Sequence, residues 1–260
     1  MPIYDRPVRF LMKEFADAKL SAGQSFHKKD AIRWFGEHYP KIKPITVGMH
    51  VEGMSVNSLA RRHHPHIRAD LGWDLFYKLS SGQYRLWDDT IDPAPIYRDD
   101  ILASGAQGPS SADPENETSG MEAETETGEG STFAYEKHLR DYLARNLSII
   151  EPGLQLYEEE GFSGVEFPVG GRFIDVLATT ASGDFVVIEL KVSRGYDRTI
   201  GQILRYMGWV QLHLAGEKGV RGIIVASEIT EDLRLAASRT SDVVLMEYEL
   251  SFRLNPVVKL

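Results

Sequence analysis

Two extended segments on either side of a short turn are the feature that most constrains this chain. Residues 171–191 read GRFIDVLATTASGDFVVIELK, and β-branched and apolar residues dominate Phe173–Thr180 and Asp184–Val192. The Ala-Ser-Gly sequence between these segments is typical of a tight turn. The sequence therefore predicts an antiparallel β-hairpin in the second half of the chain.

This hairpin carries three charged residues that its register brings together. If the turn centres on Ser182, Asp175 lies directly opposite Glu189, with Cβ atoms about 5 Å apart. Lys191 shares their face of the sheet because side chains alternate along a strand. Two opposed carboxylates repel each other unless a cation neutralises them. An Asp followed about a dozen residues later by Glu-x-Lys is the order of a magnesium-dependent phosphodiesterase site.

The motif formed by Asp175, Glu189 and Lys191 matches that of the PD-(D/E)XK nucleases. The neighbouring residues point to one family within this class. Over about residues 133–252, the chain resembles the catalytic domain of the NucS/EndoMS endonucleases. NucS proteins carry a β-rich DNA-binding domain before this region, whereas the first hundred residues here differ from it. The stretches that carry the resemblance are RFIDVLA at 172–178, VIELK at 187–191, and Gly201-Gln202 with Tyr206.

The motif and the resemblance imply roles for the hairpin residues. Asp175 and Glu189 would hold one or two Mg²⁺ ions, with the Leu190 carbonyl as a third ligand and Mn²⁺ able to substitute. The metal would lower the pKa of a bound water, and Lys191 would stabilise the charge of the transition state or orient the nucleophile. The alternative for Lys191 is a structural salt bridge with Glu189, which leaves Asp175 unexplained.

Four further residues are candidates for the same site. Glu136 lies near the start of the predicted helix Phe133–Leu147, where a helical Glu of such nucleases often contacts metal or water; the alternative is a solvent-facing Glu near a helix N-terminus. Gln202 and Tyr206 are side by side on the next helix. They either position DNA or a catalytic group, or Tyr206 only packs. Arg172 either contacts the scissile phosphate or pairs with a carboxylate.

The segments after the hairpin alternate between helix and strand, which predicts a mixed sheet flanked by helices. We therefore assign residues 133–260 to an α/β (α+β) domain of the PD-(D/E)XK, restriction-endonuclease-like class. Its predicted elements are a helix over Asp197–Ala215, a strand over Arg221–Ser227, a helix over Glu231–Thr240 and a strand over Val243–Glu249.

Residues 1–103 have the element order of a winged-helix-like domain. Val8, Leu11, Met12 and Phe15 repeat at helical spacing, which indicates a first helix. A second helix is expected after a Ser25 cap, and a third over Lys43–Leu59. Leu75–Leu79 and Gln83–Trp87 predict a hairpin wing. A small protein-interaction domain is the alternative.

If this domain binds DNA, its third helix and the basic residues near it are the expected contacts. Residues 1–72 contain 12 Lys and Arg against 7 Asp and Glu. The run His63-His64-Pro65-His66 also admits a metal site, although neighbouring histidines rarely hold one ion without other ligands. The candidate DNA-binding residues, besides Arg172, are Lys41, Lys43, Thr46, His50, Arg61 and Arg62.

Residues 104–132 contain seven acidic residues and no basic ones, in a stretch rich in Ser, Gly, Glu and Thr. Such a composition buries too little apolar surface to fold, so we expect a flexible acidic linker, or alternatively an interaction tail. The net charge of −9 therefore says little about the DNA-facing surfaces. The chain has no cysteine, no signal-peptide pattern and no apolar run that would cross a membrane, and we expect it in the cytoplasm.

The sequence thus predicts a metal-dependent DNA endonuclease of restriction or defence type, whose first domain reads a sequence or a modification. One alternative is a NucS-like mismatch or branched-DNA repair endonuclease, and another is a catalytically silent DNA-binding regulator. Because one such site cuts one strand, we expect a homodimer through the nuclease domain, with the apolar stretch Val243–Leu260 at its interface.

Overall fold

The computed structural model describes residues 3–64, 67–80, 82–103, 129–170, 172–195 and 197–250. These residues form two units, 3–103 and 129–250, which pack against each other. Most of the predicted acidic linker, residues 104–128, lies outside the described residues. Within the described ranges, no helix is both long enough and apolar enough to span a membrane.

The first unit contains three helices and a small antiparallel sheet. The helices are α1 (Val8–Lys19), α2 (Lys28–His38) and α3 (Pro44–Gly53), and the strands are β1 (Phe26–His27), β2 (Phe76–Ser80) and β3 (Gln83–Leu86), in the order β1-β3-β2. A short helix, α4 (Arg98–Ala103), ends the unit. The apolar stripe of α1 packs into a core with Phe35 and Phe76, as the helical spacing in the sequence predicts.

The start of the second helix and the end of the third helix lie at other residues than predicted. Ser25 does not cap α2; a short strand intervenes, and His27 is the cap residue, its backbone N–H bonded to Asp30 at 2.9 Å. The third helix ends at Gly53 rather than Leu59. A Cβ on Gly53 would lie 2.5 Å from the His64 ring, so only glycine allows the chain after α3 to fold back this closely.

The second unit is a six-stranded mixed sheet between helices, as predicted. Its helices are α5 (Glu129–Arg145), α6 (Arg198–Val210) and α7 (Glu231–Ala237), and a π-helical turn over Gln211–Ala215 extends α6. The strands are β4 (Gln155–Leu156), β7 (Val165–Val169), β8 (Arg172–Thr179), β9 (Phe185–Gly195), β10 (Val220–Ile229) and β11 (Val243–Glu247), while β5 (Glu158–Glu159) and β6 (Phe162–Ser163) form a separate ladder.

The sheet combines both kinds of pairing. Strand β8 is antiparallel to β9, whereas β10 is parallel to β9 and to β11. Helix α5 packs through Leu139 and Leu143 on one buried cluster with Val176 and Ile188, while Ile203 of α6 belongs to the cluster on the other side. The charged pair of the β8–β9 hairpin is thus held by a sheet covered on both faces.

Helix α3 joins the two units. Met49 of α3 is a member of the buried cluster of the second unit, and Ile45 packs against that cluster. The Glu160 carboxylate accepts hydrogen bonds from the backbone N–H groups of Ile3 at 2.8 Å and Val8 at 3.0 Å, at the beginning of α1. The first unit therefore shares apolar core and polar contacts with the second unit.

A half-buried carboxylate, Glu52, organises the inner end of the first unit. It accepts hydrogen bonds from the Tyr84 hydroxyl at 2.7 Å and the Ser58 hydroxyl at 2.9 Å, and it pairs with Lys28 at 2.6 Å and Lys78 at 3.2 Å. Burial acts to raise the pKa of Glu52, but the hydrogen bond and charge of Lys28, with Tyr84 and Lys78, outweigh it and lower the pKa to about 2.

We expect Glu52 to make the protein acid-sensitive in a defined window. A carboxyl whose folded pKa is lowered stabilises the fold fully above its unfolded pKa near 4.5, and this stabilisation is lost as the pH falls towards 2. The contribution at neutral pH is about 3 kcal/mol. Glu52→Gln should therefore unfold at lower urea concentration at pH 7, with a smaller deficit near pH 2. Exposed Glu37→Gln is the control; equal urea midpoints for the two variants at pH 7 would contradict the assignment.

Candidate active site

The β8–β9 register brings Asp175 and Glu189 opposite each other, as the sequence predicts. Val176 pairs with Ile188 and Leu177 with Val187, so the next position in the same register joins Asp175 and Glu189. Side chains in this arrangement share one face of the sheet. The prediction that the turn centres on Ser182 is confirmed.

Both carboxylates are buried, and each is held by a neighbour in the motif. The backbone N–H of Leu190 donates to Asp175 Oδ2 at 2.8 Å, and Lys191 Nζ donates to Glu189 Oε1 at 2.6 Å. The side chain of Glu189 is completely inaccessible to solvent, whereas that of Lys191 remains 25% exposed. The second oxygen, Glu189 Oε2, is buried with no hydrogen-bond partner. An unsatisfied buried carboxylate oxygen is costly, and it marks a place where a further ligand belongs.

The electrostatics of the site favour the binding of a cation. Burial, reinforced by the charge of Asp175, raises the pKa of Glu189 to about 8, and burial also raises the pKa of Asp175. Burial acts to lower the pKa of Lys191, but the charges of Glu189 and Asp175 outweigh it and raise that pKa. Lys191 therefore stays protonated, and ionisation of both carboxyl groups together is unfavourable unless a further cation offsets their charge.

The residues present fit a hard divalent cation. Two opposed carboxylates supply oxygen donors, and one of these oxygens has no other partner. Within the described ranges, no group of three or more His, Asp or Glu side chains is arranged to hold a metal ion by itself. Mg²⁺ commonly binds through one or two carboxylates and completes its shell with water and substrate phosphates. Asp175, Glu189 and the carbonyl of Leu190 remain the predicted ligands.

Glu136 of α5 is electrostatically coupled to this pair. Burial raises the pKa of Glu136, and the negative charge of Asp175 raises it further, while Lys191 and Arg140 act in the opposite direction. Glu136 is thus half-buried beside the carboxylates rather than a helix-terminal residue facing only solvent. Its role as an additional metal or water contact stays a prediction.

Gln202 and Tyr206 form a bonded pair on α6. The Gln202 amide donates to the Tyr206 hydroxyl at 3.3 Å, and the tyrosine is buried in the second-unit core. Burial raises the pKa of Tyr206, and the charge of Glu189 adds to this effect. Tyr206 therefore packs in the core, and a role in positioning DNA or a catalytic group stays a prediction.

Three of the six predicted DNA contacts of the first unit are buried in the structure. Thr46, His50 and Arg61 are at most 2% exposed, so they are structural residues here. Thr46 and His50 lie on α3, which is packed against the second unit, and His50 contacts Phe162 edge-on. The prediction that α3 presents a recognition face is wrong for this arrangement of the units.

Arg61 fixes the local fold instead of facing solvent. Its guanidinium pairs with Asp74, donates to the Ile96 carbonyl at 2.9 Å, and lies 4.9 Å from the centre of the Tyr97 ring. These contacts tie the 3₁₀ turn Leu59–His63 to the segments on either side of the β2–β3 hairpin.

The remaining basic candidates for DNA contact differ in their exposure and in their ion pairs. Lys41 is exposed, and Lys43 pairs with Glu159 of the second unit at 3.6 Å. The side chain of Arg62 lies outside the described part of the chain. Arg172, at the beginning of β8, is partly exposed. Lys41 and Arg172 therefore remain candidates for DNA contact, while Lys43 takes part in the contact between the units.

The two described residues of the histidine run, His63 and His64, pack against the second unit. His64 is buried and packs edge-on against Phe162, and the ring of His63 stacks on Phe173 at 4.2 Å. Pro65 and His66 lie outside the described residues. The two described histidines thus belong to the interface between the units, which leaves no structural support for a separate metal site there.

Two residues beside the site escaped the sequence prediction. Glu166 of β7 falls opposite Asp175, between the pairs Val165–Val176 and Phe167–Ile174. Its φ of 49° is in the left-handed region, which is unfavourable for a residue with a side chain. Its carboxylate accepts a 2.9 Å hydrogen bond from Arg140 of α5. Arg140, one turn after Glu136, acts to lower the pKa values of both Asp175 and Glu136.

Comparison with known protein families separates the two units. Residues 135–251 match the model of the Endonuclease NucS C-terminal domain. Residues 7–86 match a different model, described as a domain of unknown function, DUF7669. The resemblance of the second unit to NucS is confirmed, and the first unit matches a family of its own.

Individual proteins named Endonuclease NucS are similar to part of this chain. The chain is 31% identical over 112 residues to Endonuclease NucS of Methanopyrus kandleri, covering 43% of this chain and 40% of the relative. It is 32% identical over 124 residues to Endonuclease NucS of Frankia alni, covering 47% and 53% respectively. The chain thus spans about half the length of the curated relatives it matches.

Two solved structures align with about half of this chain. A repair endonuclease from Pyrococcus abyssi aligns with 49% of this chain and 50% of its own, at 23% identity and a TM-score of 0.37. An EndoMS–dsDNA complex aligns with 52% and 51%, at 24% identity and a TM-score of 0.37.

Proposed function

We propose that this chain is a metal-dependent DNA endonuclease that hydrolyses phosphodiester bonds at Asp175, Glu189 and Lys191. The observation that carries the proposal is the buried, opposed carboxylate pair with one unsatisfied oxygen beside a protonated lysine. The match of the surrounding domain to an endonuclease family supports it. A catalytically silent regulator is disfavoured because all three motif residues are present.

The chemistry follows from what each residue can do. A Mg²⁺ ion held by Asp175, Glu189 and the Leu190 carbonyl would lower the pKa of a bound water and offset the charge of the phosphate. Lys191, protonated and partly exposed, is suited to donate to a nonbridging phosphate oxygen as negative charge accumulates there. The Leu190 N–H holds Asp175 in one orientation. Gln202 and Tyr206 would help to orient Lys191 or the substrate.

A repair type of endonuclease is a better description than a restriction type. The sequence relatives carry the name Endonuclease NucS, and no comparison supports the restriction or defence role predicted from the sequence. The burial of α3 also removes the face that was expected to read a DNA sequence. We therefore favour cleavage of mismatched or branched DNA.

Cleavage assays on defined substrates test this function directly. The full-length chain would be incubated with end-labelled matched, mismatched and branched duplexes in Mg²⁺ or Mn²⁺, with EDTA and the Asp175→Asn variant as controls. We expect metal-dependent cuts and a preference for mismatched or branched duplexes. A lack of cleavage of every substrate in both metals would refute the nuclease proposal, and preferential cleavage of matched duplex would restore the restriction reading.

We retain two further proposals about assembly. The first unit has the order helix, strand, helix, helix, hairpin that a winged-helix-like domain requires, so DNA contact through exposed residues such as Lys41 is our expectation.

Strand β11 is at the edge of the sheet, with Val244 43% exposed, and pairing of two such edges would make a homodimer. Residues 251–260, which were expected to contribute, lie outside the described residues. Light scattering of the full chain would identify the dimer.

A further inference from the structure

A cavity of about 710 Å³ lies between the two units. Asp175, Glu189 and Lys191 do not line it, so it is distinct from the candidate active site. Its volume is in the range of sites for small organic ligands. Helix α3 and the segment after it form one wall, and the ends of β7 and β8 with the turn after α6 form the other.

The walls of this cavity are mainly apolar. Ile45, Gly48 and Met49 of α3 lie on one helix face that borders the cavity, because residues three and four apart are neighbours on a helix. Phe173 at the start of β8 borders it from the second unit. An apolar lining with an aromatic ring suits a flat, largely apolar group such as an aromatic base.

The charged residues of the lining make the cavity net positive. Three cationic side chains, Lys28, Lys78 and Arg172, border it together with a single carboxylate, Glu52. Glu52 is held between the two lysines, so it neutralises only part of their charge. Arg172 belongs to the opposite wall. Planar guanidinium groups and lysines together are well suited to recognise a phosphate.

We propose that this cavity binds a nucleotide, as an aromatic base with an attached phosphate. The base would lie between the α3 face and Phe173, and the phosphate would contact Arg172, since both lysines already pair with Glu52. Arg172 and Phe173 begin the strand that carries Asp175. A bound nucleotide would therefore join the two units next to the candidate catalytic strand. Two sources share this chemistry, a free mononucleotide and a nucleotide of single-stranded DNA.

Gly48 provides a direct test of the site. A Cβ at Gly48 would meet no atom within 4 Å, so Gly48→Leu should extend into the cavity without strain and improve the propensity of α3. Gly36 of α2 has the same open surroundings but does not border the cavity. Gly36→Leu is therefore a matched control for the helical substitution.

Binding would be measured by calorimetry on the full chain in EDTA, so that the result does not depend on cleavage. The probes are AMP, GMP, CMP and UMP, the nucleoside adenosine, and a thymidine tetranucleotide. We expect at least one mononucleotide or the tetranucleotide to bind the wild type and Gly36→Leu, and to bind Gly48→Leu about tenfold more weakly or worse. Whichever probe binds identifies the source.

Arg172→Gln tests the phosphate contact separately, including the case in which Gly48→Leu does not fold. We expect this variant to weaken the nucleotide about tenfold while the affinity for adenosine, if any, is unchanged. The proposal is overturned if no probe binds the wild type, if Gly48→Leu binds as well as the wild type, or if Arg172→Gln does not weaken the nucleotide. Because DNA cleavage is not part of this experiment, its failure leaves the nuclease proposal untouched.

Discussion

Asp175→Asn is expected to lower the rate of DNA cleavage by at least about three orders of magnitude. The asparagine removes the charge that would hold the metal, but its side-chain oxygen can still accept the Leu190 N–H that Asp175 accepts at 2.8 Å. Glu189→Gln and Lys191→Ala should cause losses of similar size. Single-turnover cleavage of a labelled duplex in Mg²⁺ measures the effect.

The stability of these variants separates a catalytic role from a structural one. The repulsion between two buried carboxylates destabilises the metal-free fold, so Asp175→Asn and Glu189→Gln should melt at the same temperature as the wild type or higher. Glu217→Gln, on an exposed turn of the same unit, should alter neither cleavage nor melting. Near-wild-type cleavage by folded Asp175→Asn would exclude the proposed site.

Arg61→Met is expected to destabilise the fold by about 3–5 kcal/mol. The substitution keeps an apolar stem of similar length but removes the guanidinium that is paired with Asp74 and bonded to the Ile96 carbonyl. Among the described residues, Asp74 would retain the Tyr97 hydroxyl at 2.6 Å and would become a largely buried charge, its side chain 11% exposed, without its cation. Urea unfolding monitored by circular dichroism measures the loss.

The control for this prediction is Lys41→Met, which removes a positive charge from an exposed position of the same unit. It should change the free energy of unfolding by less than about 0.5 kcal/mol. If Arg61→Met instead folded with wild-type stability and had lost affinity for duplex DNA, the role first predicted for Arg61 from the sequence would be restored.

The β8–β9 hairpin was predictable because its signals are local. The alternation of apolar residues and the Ala-Ser-Gly turn determine the register, and the register determines that Asp175 faces Glu189. The order of helices and strands around the hairpin follows from periodicity in the same way. The predicted ends of some elements differ from those in the structure. The start of α2 is an example, because its capping by His27 and Asp30 depends on side-chain geometry.

The environment of α3 was not predicted, although the sequence contains a signal for it. The helix reads PITVGMHVEG, with apolar residues on all sides and a single acidic residue. A helix that is apolar all round is usually buried rather than half-exposed. The basic residues on either side of α3 led to the prediction of a DNA-reading face. The apolar residues all round the helix, which indicate burial, were given less weight.

Glu166 and Arg140 were not predictable in the same sense. Glu166 is placed opposite Asp175 by the β7–β8 register, and its backbone conformation is unusual. Arg140 reaches it from a helix 26 residues earlier in the chain. Neither fact has a periodic or motif signature, because both depend on how α5 lies across the sheet.

The position of Met49 limits how this architecture can evolve. A tethered recognition module can be exchanged for another without changing the enzyme to which it is attached. Here the first unit places a methionine inside the hydrophobic core of the second, and its departure would leave a void in that core. A replacement module would have to supply a side chain of the same shape at the same place. The two units are therefore expected to have been inherited together, as one protein rather than as interchangeable parts.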